Sequence, residues 1–222
     1  MLNRIVNTQK NRMDKREKPT TEQLILEAAE EEFLLKGFDG ARTTAIAERA
    51  GVTHAMLHYY FRTKEQLFER IVAKITALVA QTVLAAMGDP QKPIVERIQS
   101  GVASHFDLVA AHPLLPRFFL NEVVLRPERY HLLDDSLKER ISELFAQLQT
   151  EADRAATAGE MEEVDMRQLF ISIVSLNVFP FLALPFAELL LGDLAGNRER
   201  FLAARKAEAI ETILRRIQTP RP

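Results

Sequence analysis

Between Gly51 and Leu67 the chain reads GVTHAMLHYYFRTKEQL. Two imidazoles (His54, His58), two phenols (Tyr59, Tyr60) and two cations (Arg62, Lys64) crowd into this one stretch. A phenol on a rigid ring and an ammonium both donate to phosphate oxygens, and an imidazole can donate or accept at a base edge. His54 and His58 also stand at i, i+4, the spacing of a two-histidine metal site on a helix. The residues between them include no glutamate, as the HExxH pattern requires, and no third ligand stands out. No metal and no cofactor is therefore expected. An ordinary imidazole titrates near ~6.5, and a nearby phosphate favours its charged form, so a pH-dependent affinity for a polyanion is an expectation.

Three helices are needed to hold these groups out. TTEQ (Thr20 to Gln23) is a capping box: Thr20 accepts from the N–H of Gln23, whose amide reaches back. The helix it opens buries Leu24, Ile25, Ala28, Ala29 and Phe33 and stops at Gly37, with Glu30, Glu31 and Glu32 placed partly on its outer face. A short second helix, Thr43 to Ala50, has Thr43 or Thr44 as its expected N-cap. Gly51 permits the left-handed turn into a third, His54 to Tyr60, capped by Thr53 and pinned by Leu57 and Phe61. TKEQ (Thr63 to Gln66) then starts a helix whose 3.6-residue periodicity runs to Met87, before GDPQKP. Beyond it come segments at about 93–111, 116–125, 134–158, 165–191 and 197–218. The fourth of these is expected to kink or break at Pro180 and Pro185. The whole is all-α, with about nine helices.

Composition narrows the function classes. The 222 residues are 47% hydrophobic and 27% charged, with net charge −2, ordinary for a soluble globular chain. Residues 1–19 carry six basic groups against two acidic ones, and read either as a solvated tail or as an arm along a phosphate backbone. Cysteine is absent, which excludes disulfides and thiolate metal sites. The N-terminal residues lack the apolar run of a signal peptide, so a cytoplasmic location is expected. Leu169 to Ala187 pass without a charge, close to the minimum for a spanning helix. Asn177, Pro180, Pro185 and Glu188 oppose spanning, and a buried or subunit-interface helix is expected instead of a membrane.

The stretch Ile25 to Phe68 resembles the DNA-binding domain of the TetR family of bacterial transcriptional regulators, through AAEEEF, KGF, TTAIAERAGV, YYF and TKEQL in register. The resemblance implies an N-terminal helix-turn-helix domain (20–66) and a larger helical ligand-binding and dimerisation domain (67–218), joined by the helix 64–87. It implies that Arg42, Thr43 and Thr44 meet phosphate, with Thr44 at a position that can reach a base. His54, Ala55 and His58 would face base edges. Met56, Tyr59, Tyr60 and Lys64 would lie along the backbone. The family commonly has glycine at 55, a small hydroxyl residue at 56 and tyrosine at 58, so the operator sequence does not carry over.

For the C-terminal half the resemblance is one of layout. It implies a homodimer through the last two long helices, with Phe201, Leu202, Ile210, Ile213, Leu214 and Ile217 as a partner stripe. Such a dimer would set two recognition helices about 34 Å apart on a double-stranded operator. It also implies a largely apolar small-molecule effector. Candidate pocket residues are His105, Phe106, Phe118, Phe119, Asn121, Glu122, Phe170, Asn177, Phe179 and Phe181. His105 and His112, seven apart, are expected on one helix face. The function expected is a ligand-responsive repressor and not an enzyme. An all-α enzyme with a small-molecule pocket is the alternative, though GxSxG, a glycine-rich phosphate loop, HExxH and a cysteine nucleophile are all missing.

Overall fold

The computed structural model describes residues 19–192 and 196–218; the basic segment, except for its last residue, lies outside them. Among the described residues every regular element is helical, and the chain forms two compact units, 1–68 and 69–222. In the first unit, α1 spans Thr21–Gly40, α2 Thr43–Arg49 and α3 His54–Tyr60, and α4 (Lys64–Met87) begins there and continues into the second. The capping box forms in both directions, with Gln23 N to Thr20 Oγ1 at 3.2 Å and Thr20 N to Gln23 Oε1 at 2.8 Å. Gly37, at φ 67°, breaks the helical path inside α1, and the short turn beyond it brings Phe38 against Phe33 and Phe68. Those three rings, with Ile25, Ala29, Ile46 and Leu57, form a core that short helices could not supply alone. Gly51 also sits at φ 67°, with nothing within 4 Å of where a Cβ would stand; the backbone conformation is what demands glycine.

The second unit contains the rest of α4, then α5 (Ile94–Ala111), α6 (Leu115–Phe119), a π-helical turn (Leu120–Val124) and a 3-10 segment (Pro127–Leu132). It closes with α7 (Asp135–Thr157), α8 (Met166–Leu191) and α9 (Arg198–Ile217). Its core draws Val83, Ile98, Val102, Leu148, Ile173 and Ile213 from α4, α5, α7, α8 and α9. Arg97 is buried within it: Nε donates to the Met87 carbonyl at 2.7 Å and the guanidinium pairs with Glu151, which ties α5 to the end of α4 and to α7. Three expectations are corrected. First, α8 runs unbroken past Pro180 and Pro185, each proline removing only one ladder bond from a helix of 26 residues. Second, Ile213 and Ile217 of the α9 stripe are buried in the unit's own core, whereas Ile210 and Leu214 pack partly against it and Phe201 and Leu202 are half-buried. Third, His112 is the C-cap of α5 and exposed, so it does not continue the face of His105. By length and composition α4 and the Met166–Leu184 part of α8 could cross a membrane; α4 buries Ile71, Val72, Ile75, Val83 and Met87 as a core helix does.

Glu32 overturns the outward placement of the glutamate triplet. Glu31 is exposed, but Glu32 has 0% exposure. Its Oε1 accepts from Lys36 Nζ at 2.7 Å and from the Arg42 backbone N–H at 3.4 Å. Its Oε2 has no hydrogen bond, and Arg49 stands 3.6 Å away. Three adjacent glutamates on a helix point in three directions, and the third falls on the inner face beside Ala28, Ala29 and Phe33. Burial by itself would raise the Glu32 pKa; the Lys36 bond, the Arg42 N–H and the charges of Lys36 and Arg49 outweigh it and hold the carboxyl below its ordinary value. A depressed carboxylate stabilises the fold fully above the unfolded value and loses that contribution as pH falls through the folded one. Glu32→Gln should therefore destabilise the chain by about 2 kcal/mol near neutral pH, the scale of a charge-assisted hydrogen bond. Urea unfolding followed by circular dichroism should show the gap between wild type and variant narrowing as pH falls below 4.5, the ordinary carboxyl value.

Candidate nucleic-acid interface and effector cavity

One face of α3 is sealed and the other is open. Leu57 is fully buried and Phe61, the C-cap, nearly so, while His54, Ala55, Met56, His58, Tyr59 and Tyr60 are all exposed, Tyr59 at 83%. Thr53 Oγ1 accepts from the Met56 N–H at 3.2 Å and so caps the helix. Thr63 does the same for α4 through the Gln66 N–H at 3.2 Å. The rings of Tyr59 and Tyr60 meet edge to face at 5.5 Å. Seven residues of helix gain little from their own hydrogen bonds, so α3 owes its order to this inner pair, its cap and the turn at Gly51.

At the start of α2 the N-cap is Arg42, without a side-chain cap bond, and Thr43 is the first helical residue. That corrects the expected cap, and the cause lies in α3: Thr43 Oγ1 is bonded to His54 Nε2 at 3.0 Å. The pair joins the first turns of α2 and α3. Arg42 and Thr44 are exposed beside it. Lys64 is half-buried, its Nζ 4.7 Å from the centre of the Phe38 ring, a cation–π contact at the start of α4. His54 and His58 lie edge to face with centroids 4.4 Å apart. One nitrogen of each is engaged, by Thr43 and by the Arg62 carbonyl.

The ten pocket candidates separate into several environments. Phe119 and Phe170 line an apolar cavity of about 230 Å³, walled by Val79, Ala80 and Val83 of α4 and Ile141 of α7. Asn177 is fully buried on α8; its Nδ2 donates to the Val102 carbonyl at 2.9 Å and faces His105 Nδ1 at 3.1 Å. An amide nitrogen only donates, so His105 Nδ1 accepts and its proton sits on Nε2. Burial lowers the His105 pKa, which agrees with that neutral form. Phe106 and Phe181 pack ring on ring at 5.6 Å. Phe118 is buried in α6, and Glu122, in the π-helical turn, pairs with Arg129. Asn121 and Phe179 are exposed, Phe179 at 66%, and neither belongs to an enclosed pocket.

Sequence reasoning missed the α4 and α7 walls of the cavity as a site, since a lining residue and a core residue share one apolar periodicity. Leu133, Leu137 and Ile141, four apart, were the available signal. A second cleft, about 630 Å³, opens beside α7 and the start of α8 with Gln149, Asp153, Glu163, Asp165 and Arg167 on its walls. None of the ten candidates lines it, and its polar walls do not suit an apolar effector.

Comparison with known proteins bears on both units. Residues 25–71 match the family model for bacterial regulatory proteins, tetR family, and residues 95–213 match that for the tetracyclin repressor-like C-terminal domain. The chain is 29% identical over 151 residues to the nucleoid occlusion factor SlmA of Marinobacter nauticus, covering 66% of this chain and 72% of that protein. It is 27% identical over 134 residues to the transcriptional regulator BetI of Escherichia coli, covering 59% and 69%. Two solved structures share the fold. The putative transcriptional regulator SCO4942 of Streptomyces coelicolor has TM-score 0.66 and 23% identity over 91% of this chain and 100% of its own. The ketosteroid regulator KstR2 of Mycobacterium tuberculosis has TM-score 0.67 and 13% identity over 92% and 98%. Because the C-terminal match alone spans more than half of the chain, this protein belongs to the tetR family of bacterial regulatory proteins and is a DNA-binding transcriptional regulator.

Proposed function

We propose that the chain is a cytoplasmic, homodimeric repressor that releases its operator when a compact, largely apolar molecule fills the cavity beside α4. The observation that carries the DNA half is the exposed face of α3, where a ring as large as Tyr59 stands almost wholly in solvent. In this reading His54, Ala55 and His58 face base edges. Arg42, Thr43, Thr44, Met56, Tyr59, Tyr60 and Lys64 follow the phosphate backbone. An all-α enzyme is not favoured, because the family matched is one of regulatory proteins and BetI is a transcriptional regulator.

Two features support the other half. On α8, Ile171, Phe179, Phe186 and Leu190 recur at helical spacing and are all exposed, an apolar stripe that a second copy would cover. The cavity is smaller than the about 300–1,000 Å³ usual for drug-sized ligands, so its effector is compact. Its wall includes Val79, Ala80 and Val83 of the same unbroken helix that starts at Lys64.

Three measurements test this. Wild type should bind one sequence selected from a random duplex library, weakening steeply as salt rises, and Tyr59→Ala should bind it about tenfold less tightly with unchanged helical content; a wild type that selects nothing rejects the DNA reading. Sedimentation should show a dimer for wild type and a monomer for Phe179→Glu, which sets a charge in the stripe; a dimer that survives this change moves the interface elsewhere. Ala80→Phe should fill the cavity and abolish binding of a neutral naphthylamine dye while leaving operator affinity intact. Undiminished dye binding would place the effector site in another part of the unit.

A further inference from the structure

The two imidazoles on the open face of α3 are not equivalent. His54 has Nε2 committed to Thr43 Oγ1 at 3.0 Å, so it helps to fix the first turn of α3 against α2. His58 has Nδ1 3.2 Å from the Arg62 carbonyl oxygen. A carbonyl only accepts, so Nδ1 carries a proton, and Nε2, across the ring from that bond, is the atom left to meet a ligand. The edge-to-face contact with His54 and the Arg62 bond together hold the ring in one orientation.

We propose that His58 is the specificity-determining residue of α3 and reads one operator base pair through Nε2 alone. This rests on the reading of α3 as the DNA-facing helix. Charged, Nε2 donates to O6 or N7 of guanine in the major groove. Neutral, the same atom can only accept, and the pairing it favours moves to the amino group of adenine or cytosine. The Nδ1 bond to Arg62 survives in both states, so titration reverses the sense of the outward hydrogen bond without moving the side chain. Tyrosine, the residue common at this position in the family, has a hydroxyl that rotates to donate or accept and does not titrate in this range.

The charged and titratable groups on the elements that carry or adjoin His58 come from three places. Its own helix contributes His54, Tyr59 and Tyr60. The helix α2, packed against α3, contributes Arg42, Glu48 and Arg49, the last turned onto Glu31 and Glu32. The segment that follows contributes Arg62, Lys64 and Glu65, with Lys64 over Phe38. DNA adds a dense negative field to that set, and this favours the charged imidazole in the complex. A proton is then taken up on binding, and affinity for a guanine-bearing operator falls as pH rises.

The test is duplex selection from a random library at about pH 6 and about pH 8, either side of an ordinary imidazole pKa, followed by competition binding of the dimer. Wild type should enrich guanine at one position of each half-site at the lower pH and lose that preference at the higher. Its affinity for the guanine operator should fall more than tenfold between the two. His58→Ala should lose both the preference at that position and the pH dependence while keeping the rest of the selected site. His58→Gln, whose amide can still donate to Arg62 or pair with a base and does not titrate, should fold as wild type and select adenine equally at both pH values. The proposal is overturned if His58→Ala selects the wild-type site unchanged, or if guanine preference is the same at both pH values. Failure of every variant, wild type included, to enrich any sequence would instead remove the DNA reading, and this proposal with it.

Discussion

A carboxylate with no solvent exposure lies between the first two helices, and its neutralisation determines where α2 can sit. Glu32 meets the Arg42 N–H at the start of α2 and the Arg49 guanidinium at its end, and Lys36 closes the remaining side from α1. A charge held out of water is costly unless it is paired and hydrogen-bonded, so α1 and α2 are restricted to the arrangement that supplies both. The constraint passes onward through polar contacts. Thr43, next to Arg42, bridges to His54; His54 abuts His58; His58 ends on the Arg62 carbonyl. The positions of α2 and of the outer face of α3 are thereby set by directional contacts, while Leu57 and Phe61 supply the non-directional burial that keeps the third helix folded.

That division of labour explains why α3 can leave so much of itself in water. A helix of seven residues has too few internal bonds to persist by itself. Its stability comes from one inward pair, one cap and the left-handed glycine before it. All of these are on its inner side or at its ends. Apart from the His54 and His58 contacts, the outward positions carry little structural duty, and side chains that would be poor choices for stability, such as an almost fully exposed tyrosine, can stand there.

The fold was largely legible because its signals are local. Caps at Thr20, Thr53 and Thr63 and the turns at Gly37 and Gly51 lie within four residues of what they control, and the expected His54–Tyr60 and Lys64–Met87 boundaries match those of α3 and α4. Where the expectation failed, a contact distant in sequence intervened. Thr43 gives its hydroxyl to His54, eleven positions away, and so does not cap. Glu32 is turned inward by partners on α2 that no helical period reveals. In the second unit helix boundaries were again readable, but the cavity was not, since four helices each supply one or a few ordinary apolar side chains to it. Likewise the α9 stripe and the α8 stripe look equally apolar in sequence. Only packing shows that Ile213 and Ile217 of the first are taken up within the subunit, while Ile171, Phe179, Phe186 and Leu190 of the second are exposed.

The open stripe and the cavity lie on the same helix and place opposite demands on it. Phe170 faces the cavity, whereas Ile171 and Phe179 point to solvent, so α8 must keep its register for both. An unbroken helix past two prolines does so, where a kink would turn the later residues off the stripe. On the repressor reading, α8 then acts as the fixed wall, held by the partner subunit, and α4 is the wall able to move. An effector lodged between them changes operator affinity only by as much as it prefers one position of α4 over another. Coupling of about 1–3 kcal/mol is typical of such systems, which at about 25 cal/mol per Å² corresponds to about 40–120 Å² more apolar surface buried in one position of α4 than in the other. A ligand that merely rests on α6 and α7 would bind without relieving repression.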